Sequence, residues 1–137
     1  MRSVLAVISG FLVTAAVAFA ADDLVLRFAP NARDSVGRIT EARILILMLV
    51  YTAVAAIGGS YVTARLAPSR PLRHAMILGA IALALSIVAT VMFWDAGPAW
   101  YHAIAVGLVL PCAWLGGMLY LRGRARPVRQ SRVRSAG

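Results

Sequence analysis

Four long apolar stretches occupy most of this 137-residue chain. They run over residues 4–21, 44–64, 75–94 and 99–121, and each is close to the ~20 residues with which a helix crosses ~30 Å of hydrocarbon. Hydrophobic residues make up 61% of the sequence and the mean hydropathy is +0.82, too apolar for a water-soluble domain. The pattern predicts an all-α membrane protein, an antiparallel bundle of four transmembrane helices.

The connections between the stretches leave no room for a second folded domain. The longest of them, residues 22–43, is too short to bury a core of its own. We therefore expect one membrane domain over residues 1–121. Residues 122–137 are rich in arginine and contain almost nothing apolar, so we expect a disordered basic tail on the cytoplasmic side.

The charge of the chain is distributed unevenly along it. The sequence has 14 basic residues, all arginine, and five acidic ones, for a net charge of +9. Ten arginines belong to the N terminus, the second connection and the tail, and the positive-inside rule places these segments in the cytoplasm. We predict an inner-membrane protein with both termini inside. The arginines expected to contact anionic lipid, in preference to nucleic acid, are Arg65, Arg70, Arg73, Arg122, Arg124 and Arg126.

The first stretch has two interpretations. One arginine, an apolar run and the tripeptide Ala18-Phe19-Ala20 resemble a signal peptide with its cleavage site. Alternatively, the apolar pattern resumes at Leu24 and the helix continues toward Pro30. In that case Asp23 and Arg27 are helical neighbours at i,i+4.

Local signals place the ends of the other helices. Asp34, Ser35 or Thr40 is suited to cap the second helix. Three aromatic residues, Trp94, Trp100 and Tyr101, are typical of an interfacial belt on the outer side. Tyr61 and Tyr120 are expected to do the same on the inner side.

Small residues recur at four-residue spacing in the last three stretches, which lets helix backbones approach closely in lipid. The pattern fits either close packing within one bundle or a specific face for association with other helices. Pro111 removes one hydrogen bond of the fourth helix and predicts a bend there. The predicted packing residues are Gly58, Gly59, Thr63, Gly79, Gly107, Gly116 and Gly117.

No group of residues has the composition of a catalytic, cofactor or metal site. His74 and His102 are predicted at opposite faces of the membrane, too far apart to share a metal or haem. Asp22, Asp23 and Asp95 fall at the ends of the apolar stretches, so no ionisable residue is expected at mid-bilayer. Cys112 is expected to be a small packing residue.

Several segments carry a resemblance that covers about the last two thirds of the chain. Residues 58–68, 70–75 and 111–117, together with Gly79, Trp94 and Pro98, resemble a family of small, uncharacterised four-helix integral membrane proteins of bacteria. The resemblance implies a bacterial inner membrane and no particular activity. In size the chain is also similar to the small multidrug resistance transporters, but Thr14 and its neighbours lack the acidic residue that those carry in the first span.

These observations favour a non-enzymatic membrane protein. The leading hypothesis is a structural or accessory subunit that associates with itself or another membrane protein through its small-residue helix faces. The alternative is a small oligomeric transporter or channel for a neutral or apolar solute. No nucleophile and base are placed to act together, so we do not expect an enzyme.

Overall fold

The computed structural model describes residues 2–29, 31, 34–35 and 37–134. Side chains are described for those of these residues that lie between 3 and 125. Within them the chain forms four long helices: α1 (Arg2–Phe28), α2 (Ala42–Leu66), α3 (Pro71–Met92) and α4 (Ala99–Arg134). All four are long and apolar enough to cross a membrane. The predicted all-α bundle is confirmed, and the protein is a multi-pass membrane protein.

The first and last helices extend beyond the predicted apolar stretches. Helix α1 continues past residue 21 to Phe28, and Asp23 pairs with Arg27 at 2.8 Å on its exposed side. Helix α4 continues past residue 121 to Arg134, where we expected a disordered tail. Extending a helix that is already formed needs no new nucleation step. Gly123 and Pro127 lie within this extension and disfavour it, and proline has no N–H to donate, so the local sequence does not predict the continuation.

The helix ends depend less on side-chain caps than the sequence suggests. The residue before α2 is Glu41, whose side chain makes no capping bond, so the expected cap by Asp34, Ser35 or Thr40 is wrong. Asp34 instead accepts a 2.8 Å hydrogen bond from the backbone N–H of Arg38 and stabilises the connecting loop. Pro71 starts α3, a position where its missing N–H costs no hydrogen bond.

The helices are antiparallel, so the connections alternate between two ends of the bundle. We call the end with the α1–α2 and α3–α4 connections the loop end, and the other the tail end. Helix α2 packs against both α1 and α4, and α3 packs mainly against α4. Helix α3 also contacts α2 and α1, whereas α1 and α4 scarcely touch each other.

Burial is concentrated in the tail half of the bundle. The buried residues there come from all four helices: Ala6, Gly10, Gly59, Ser60, Thr63, Ala64, Ala75, Leu78, Gly79, Cys112, Ala113, Gly116 and Gly117. Ala55 is buried near the middle of α2, and toward the loop end the described buried residues are only Ile39, Leu45 and His102. The helices are thus closely packed at the tail end and separate toward the loop end.

Candidate functional site

The separation of the helices leaves a cleft of about 470 Å³ near the loop end, between α2, α3 and α4. We call it the loop-end cleft. Its polar lining comes from all three helices, and none of its described lining residues is an acid or an arginine. A site with hydroxyl groups among apolar walls suits a neutral ligand. The polar residues of the lining are Thr52, Ser86, Thr90, Tyr101 and His102.

His102 is the most buried polar side chain of this lining, with 8% of its surface exposed. Its Nε2 lies 3.2 Å from the carbonyl oxygen of Trp94, and its ring stacks on the indole of Trp94 with centroids 5.5 Å apart. Tyr101 meets the same imidazole edge-on at 5.5 Å. Two of the three aromatics predicted for an interfacial belt therefore hold the histidine at the wall of the cleft.

The connecting loop closes one side of the cleft. The backbone N–H of Ile39 donates a 3.1 Å hydrogen bond to the carbonyl oxygen of Ala96, and the Ile39 side chain is buried. Both residues line the cleft. The loop between α1 and α2 is thus fastened to the α3–α4 connection directly over the site.

A smaller cavity of about 50 Å³ lies between α2 and α4. It shares Thr52, Tyr101 and Ala105 with the loop-end cleft and reaches Cys112. Beyond Cys112, Gly116 closes the path, because a Cβ at that position would lie 2.4 Å from the carbonyl oxygen of Ile57 on α2. The smaller cavity therefore ends, on its tail side, where α2 and α4 come into close contact at Gly116.

An acidic residue inside α1 takes part in the contact between α1 and α2. Asp22 accepts a hydrogen bond from the hydroxyl of Tyr51 on α2. The sequence placed Asp22 at the end of an apolar stretch. Because α1 continues for six more residues, to Phe28, the carboxylate is instead part of a helix–helix contact.

The contact between α1 and α2 repeats every four residues in a constant antiparallel register. A Cβ on Gly10 would lie 1.8 Å from Thr63 Oγ1, and a Cβ on Gly59 would lie 1.8 Å from Thr14 Oγ1. Two turns further along α1 the same register pairs Asp22 with Tyr51. Each helix thus places a glycine against the other's threonine, which only a residue without a side chain permits.

The two threonines of this contact differ in their hydrogen bonds. Thr14 Oγ1 donates to the carbonyl oxygen of Gly10 at 2.9 Å. Thr63 is fully buried, and its Oγ1 has no hydrogen-bond partner in the described part of the chain. An unpaired buried hydroxyl costs about 1–3 kcal/mol.

We therefore expect opposite effects from the same substitution at these two positions. Thr14→Val should lower the free energy of unfolding by about 1 kcal/mol, and Thr63→Val should raise it by a similar amount, because only the first removes a hydrogen bond. Reversible unfolding with sodium dodecyl sulfate in mixed micelles measures both. Equal losses in the two variants would show that Thr63 is hydrogen-bonded after all.

The remaining predicted packing residues divide into two groups. Gly79 faces Ala113, Gly116 faces Ile57 and Ser60, and Gly117 faces Leu72 and Ala75, so these three lie where helices approach closely. Gly58 and Gly107 are exposed, and a Cβ added at either would have no atom within 4 Å. They take no part in packing within the described bundle.

Other predicted residues lie at the surface. Pro111 is exposed within the uninterrupted helix α4, and the bend there stays a prediction. His74 is at the tail end, 3.2 Å from the carbonyl oxygen of Arg70, and so is far from His102. The side chain of Arg126 lies outside the described residues. The arginines exposed at the tail end are Arg65, Arg70, Arg73, Arg122 and Arg124.

Comparison of the chain with protein-family models, curated proteins and solved structures returns no match. A function must therefore be argued from the geometry of the bundle itself.

Sequence reasoning missed Gly10, Asp22 and the loop-end cleft. Two of these had a signal in the sequence, because Gly10-x-x-x-Thr14 repeats the spacing of Gly59-x-x-x-Thr63. Continuing that spacing by two steps along α1 reaches Asp22. The cleft had no such signal, since its lining is brought together from three helices and two connections.

Proposed function

We propose that this protein is a non-enzymatic transporter or channel that admits a small neutral or apolar solute through the loop-end cleft. The observation that carries the proposal is the cleft itself, with hydroxyl groups and His102 among apolar walls and no charged side chain in its described lining. A solute without net charge fits such a lining, because a buried ion would need a compensating charge.

The distribution of packing supports transport over a purely structural role. The small residues at Gly59, Thr63, Gly79, Gly116 and Gly117 are used for contacts between helices of the same chain. They are therefore not free to bind another protein. A cleft near the loop end, with close packing at the tail end, fits a state in which a solute reaches its site from one side only.

The charge distribution supports an orientation with both termini in the cytoplasm of a bacterial cell. Ten arginines and no acid belong to the tail-end segments, whereas four arginines and all five acids belong to the loop-end segments. The cleft then lies in the outer half of the membrane, away from the cytoplasm. The exposed tail-end arginines are placed to bind anionic lipid headgroups, at about 1 kcal/mol each.

Solute flux through proteoliposomes tests the proposal. We expect stopped-flow light scattering to show faster entry of some members of a size-graded series of neutral solutes than in empty liposomes. Ser86→Trp should abolish the difference, because Ser86 lines the cleft. Leu85→Trp is the matched control, since the adjacent Leu85 is 48% exposed on the outer surface of α3. Equal entry rates with and without protein for every solute would contradict the proposal.

A second candidate function is that of a structural or accessory subunit. The exposed positions of Gly58 and Gly107 favour it. Both leave a smooth patch on the lipid-facing surface where another helix can approach closely. Gentle extraction followed by mass spectrometry of the intact complex separates the two functions. A stoichiometric partner protein that is lost in Gly107→Leu would favour the subunit, and a complex of this chain alone would favour the transporter.

A further inference from the structure

We propose that the loop end carries a binding site for the ammonium-bearing headgroup of a zwitterionic phospholipid. The site is a groove of about 370 Å³ between the start of α2 and the α3–α4 connection. We call it the headgroup groove. Of its described lining residues it shares only Gly97 with the loop-end cleft. The side chains that carry the proposal are Arg38, Trp94, Asp95 and Trp100, all of which line the groove.

The two indole rings of the groove are accessible to a ligand. His102 stacks on one face of the Trp94 ring, yet Trp94 is still 54% exposed, which leaves its other face open. The rings of Trp100 and Tyr101 are perpendicular, with centroids 6.3 Å apart, and Trp100 is 40% exposed. Indole attracts a cation more strongly than the other aromatic side chains do, and several aromatic rings around one space are typical of sites for organic ammonium groups.

The two charged residues of the groove differ in whether their charge is already compensated. The Nε of Arg38 donates a 2.9 Å hydrogen bond to the carboxylate of Asp34. Asp95, by contrast, has no hydrogen bond or ion pair with any residue that the structure describes. The lining therefore presents one uncompensated negative charge together with two indoles. This combination attracts an ammonium group.

Arg38 restricts the ligand further. A guanidinium has five N–H donors, so Arg38 can bind a phosphate oxygen while its Nε stays bonded to Asp34. Phosphatidylethanolamine and phosphatidylcholine carry a phosphate and an ammonium group on a short carbon link, and so match a lining that contains both Arg38 and Asp95. Phosphatidylglycerol has the phosphate without the ammonium group, and Asp95 repels it.

The position of the groove favours a lipid over a soluble amine. The groove lies where α3 ends and α4 begins, and the ends of spanning helices are at the depth of the headgroups. The three residues before Trp94 are large, apolar and exposed, namely Val91, Met92 and Phe93. Acyl chains cover such a surface in a bilayer. A lipid that packs against the last turn of α3 thus has its headgroup at the groove, whereas a soluble amine gains nothing from this surface.

Quenching of tryptophan fluorescence by lipids with brominated acyl chains measures binding at the groove itself. Trp114→Phe removes the third tryptophan of the chain, so that emission comes from Trp94 and Trp100. Liposomes combine brominated phosphatidylethanolamine with unbrominated phosphatidylglycerol of the same chain length, and the reverse pair is the internal control. We expect a preference of about two- to fivefold for phosphatidylethanolamine over random mixing, the size of a cation–π contact at an exposed site.

Matched substitutions in the same background assign the preference to the groove. Asp95→Asn should abolish it, because the amide carries no charge. Glu41→Gln should leave it unchanged, since it also removes one exposed acid from the loop end but does not line the groove. Trp100→Leu should weaken the preference, with Trp94 left as the reporter. Asp95 and Glu41 are both exposed, so neither acid substitution should impair folding.

The outcomes distinguish a lipid site from the alternatives. Equal binding of the two lipids, or the same preference after Asp95→Asn, would overturn the proposal. If free ethanolamine in the buffer removes the preference and potassium chloride at equal ionic strength does not, the groove binds a soluble amine and the assignment to lipid is wrong. Solute flux enters none of these measurements, so the result is independent of whether the loop-end cleft transports a solute.

Discussion

Gly59→Leu is expected to lower the free energy of unfolding by about 3 kcal/mol or more, the upper range for overpacking a closely packed contact. A Cβ at this position would lie 1.8 Å from Thr14 Oγ1 and 2.6 Å from the carbonyl oxygen of Gly10. The second of these atoms belongs to the backbone of α1, so no side-chain rotation relieves the collision. The two helices must separate, and the register that pairs Asp22 with Tyr51 is then lost as well.

The adjacent glycine provides a matched control. Gly58 has no atom within 4 Å of an added Cβ and is exposed. Gly58→Leu should therefore leave stability unchanged or raise it by up to about 1 kcal/mol, the gain in helix propensity. Unfolding in mixed micelles, with size-exclusion chromatography to show that both variants start as monodisperse protein, measures the difference. Similar losses in the two variants would mean that α1 does not cross α2 at Gly59.

The helices themselves could be predicted because the bilayer sets their length and composition. About 20 apolar residues without a buried charge have few alternatives to a spanning helix. The ends were less predictable. The sequence offered Asp34, Ser35 and Thr40 as caps for α2, but Asp34 is engaged within the loop by the N–H of Arg38. In the same way, nothing local to residue 122 shows that α4 continues.

The contacts between helices were predicted only in part, for a physical reason. Four-residue spacing of small residues shows that a helix face can be approached closely, but it does not show which partner approaches it. Gly58 and Gly59 are neighbours in sequence, yet only Gly59 meets another helix, since a rotation of about 100° per residue separates their directions. The part that Gly10 and Asp22 play in helix packing can be recognised only once α2 is known to lie against α1. The loop-end cleft depends on the distances between three helices, and these distances cannot be predicted from the sequence of any one helix.

Exchanging one methyl group between α3 and α4 should leave the protein nearly as stable as the wild type, although each half of the exchange destabilises it. A Cβ at Gly79 would lie 2.6 Å from the Cβ of Ala113, and the next atom, Leu110 Cδ2, is at an ordinary 3.6 Å. The contact therefore has room for one methyl group and not for two.

The two single variants are expected to lose stability for different reasons. Gly79→Ala gains helix propensity but forces two methyl groups together, so a net loss of about 1–2 kcal/mol is expected. Ala113→Gly loses about 1 kcal/mol of helix propensity, and the missing methyl group leaves a small void. In the double variant the propensity changes cancel and the contact again holds one methyl group. A double-mutant cycle should then give a favourable coupling of about 2 kcal/mol.

Gly107→Ala is the control for this cycle, because Gly107 lies on the same helix as Ala113 with no atom near an added Cβ. It should raise stability by up to about 1 kcal/mol through helix propensity alone, and its effect should add to that of Gly79→Ala. Unfolding of all the variants in the same micelles gives the coupling of Gly79→Ala with Ala113→Gly and that of Gly79→Ala with Gly107→Ala. If Gly79→Ala and Ala113→Gly are also additive, the two residues do not face each other, and the tail half of the bundle is not closed by the contact between α3 and α4.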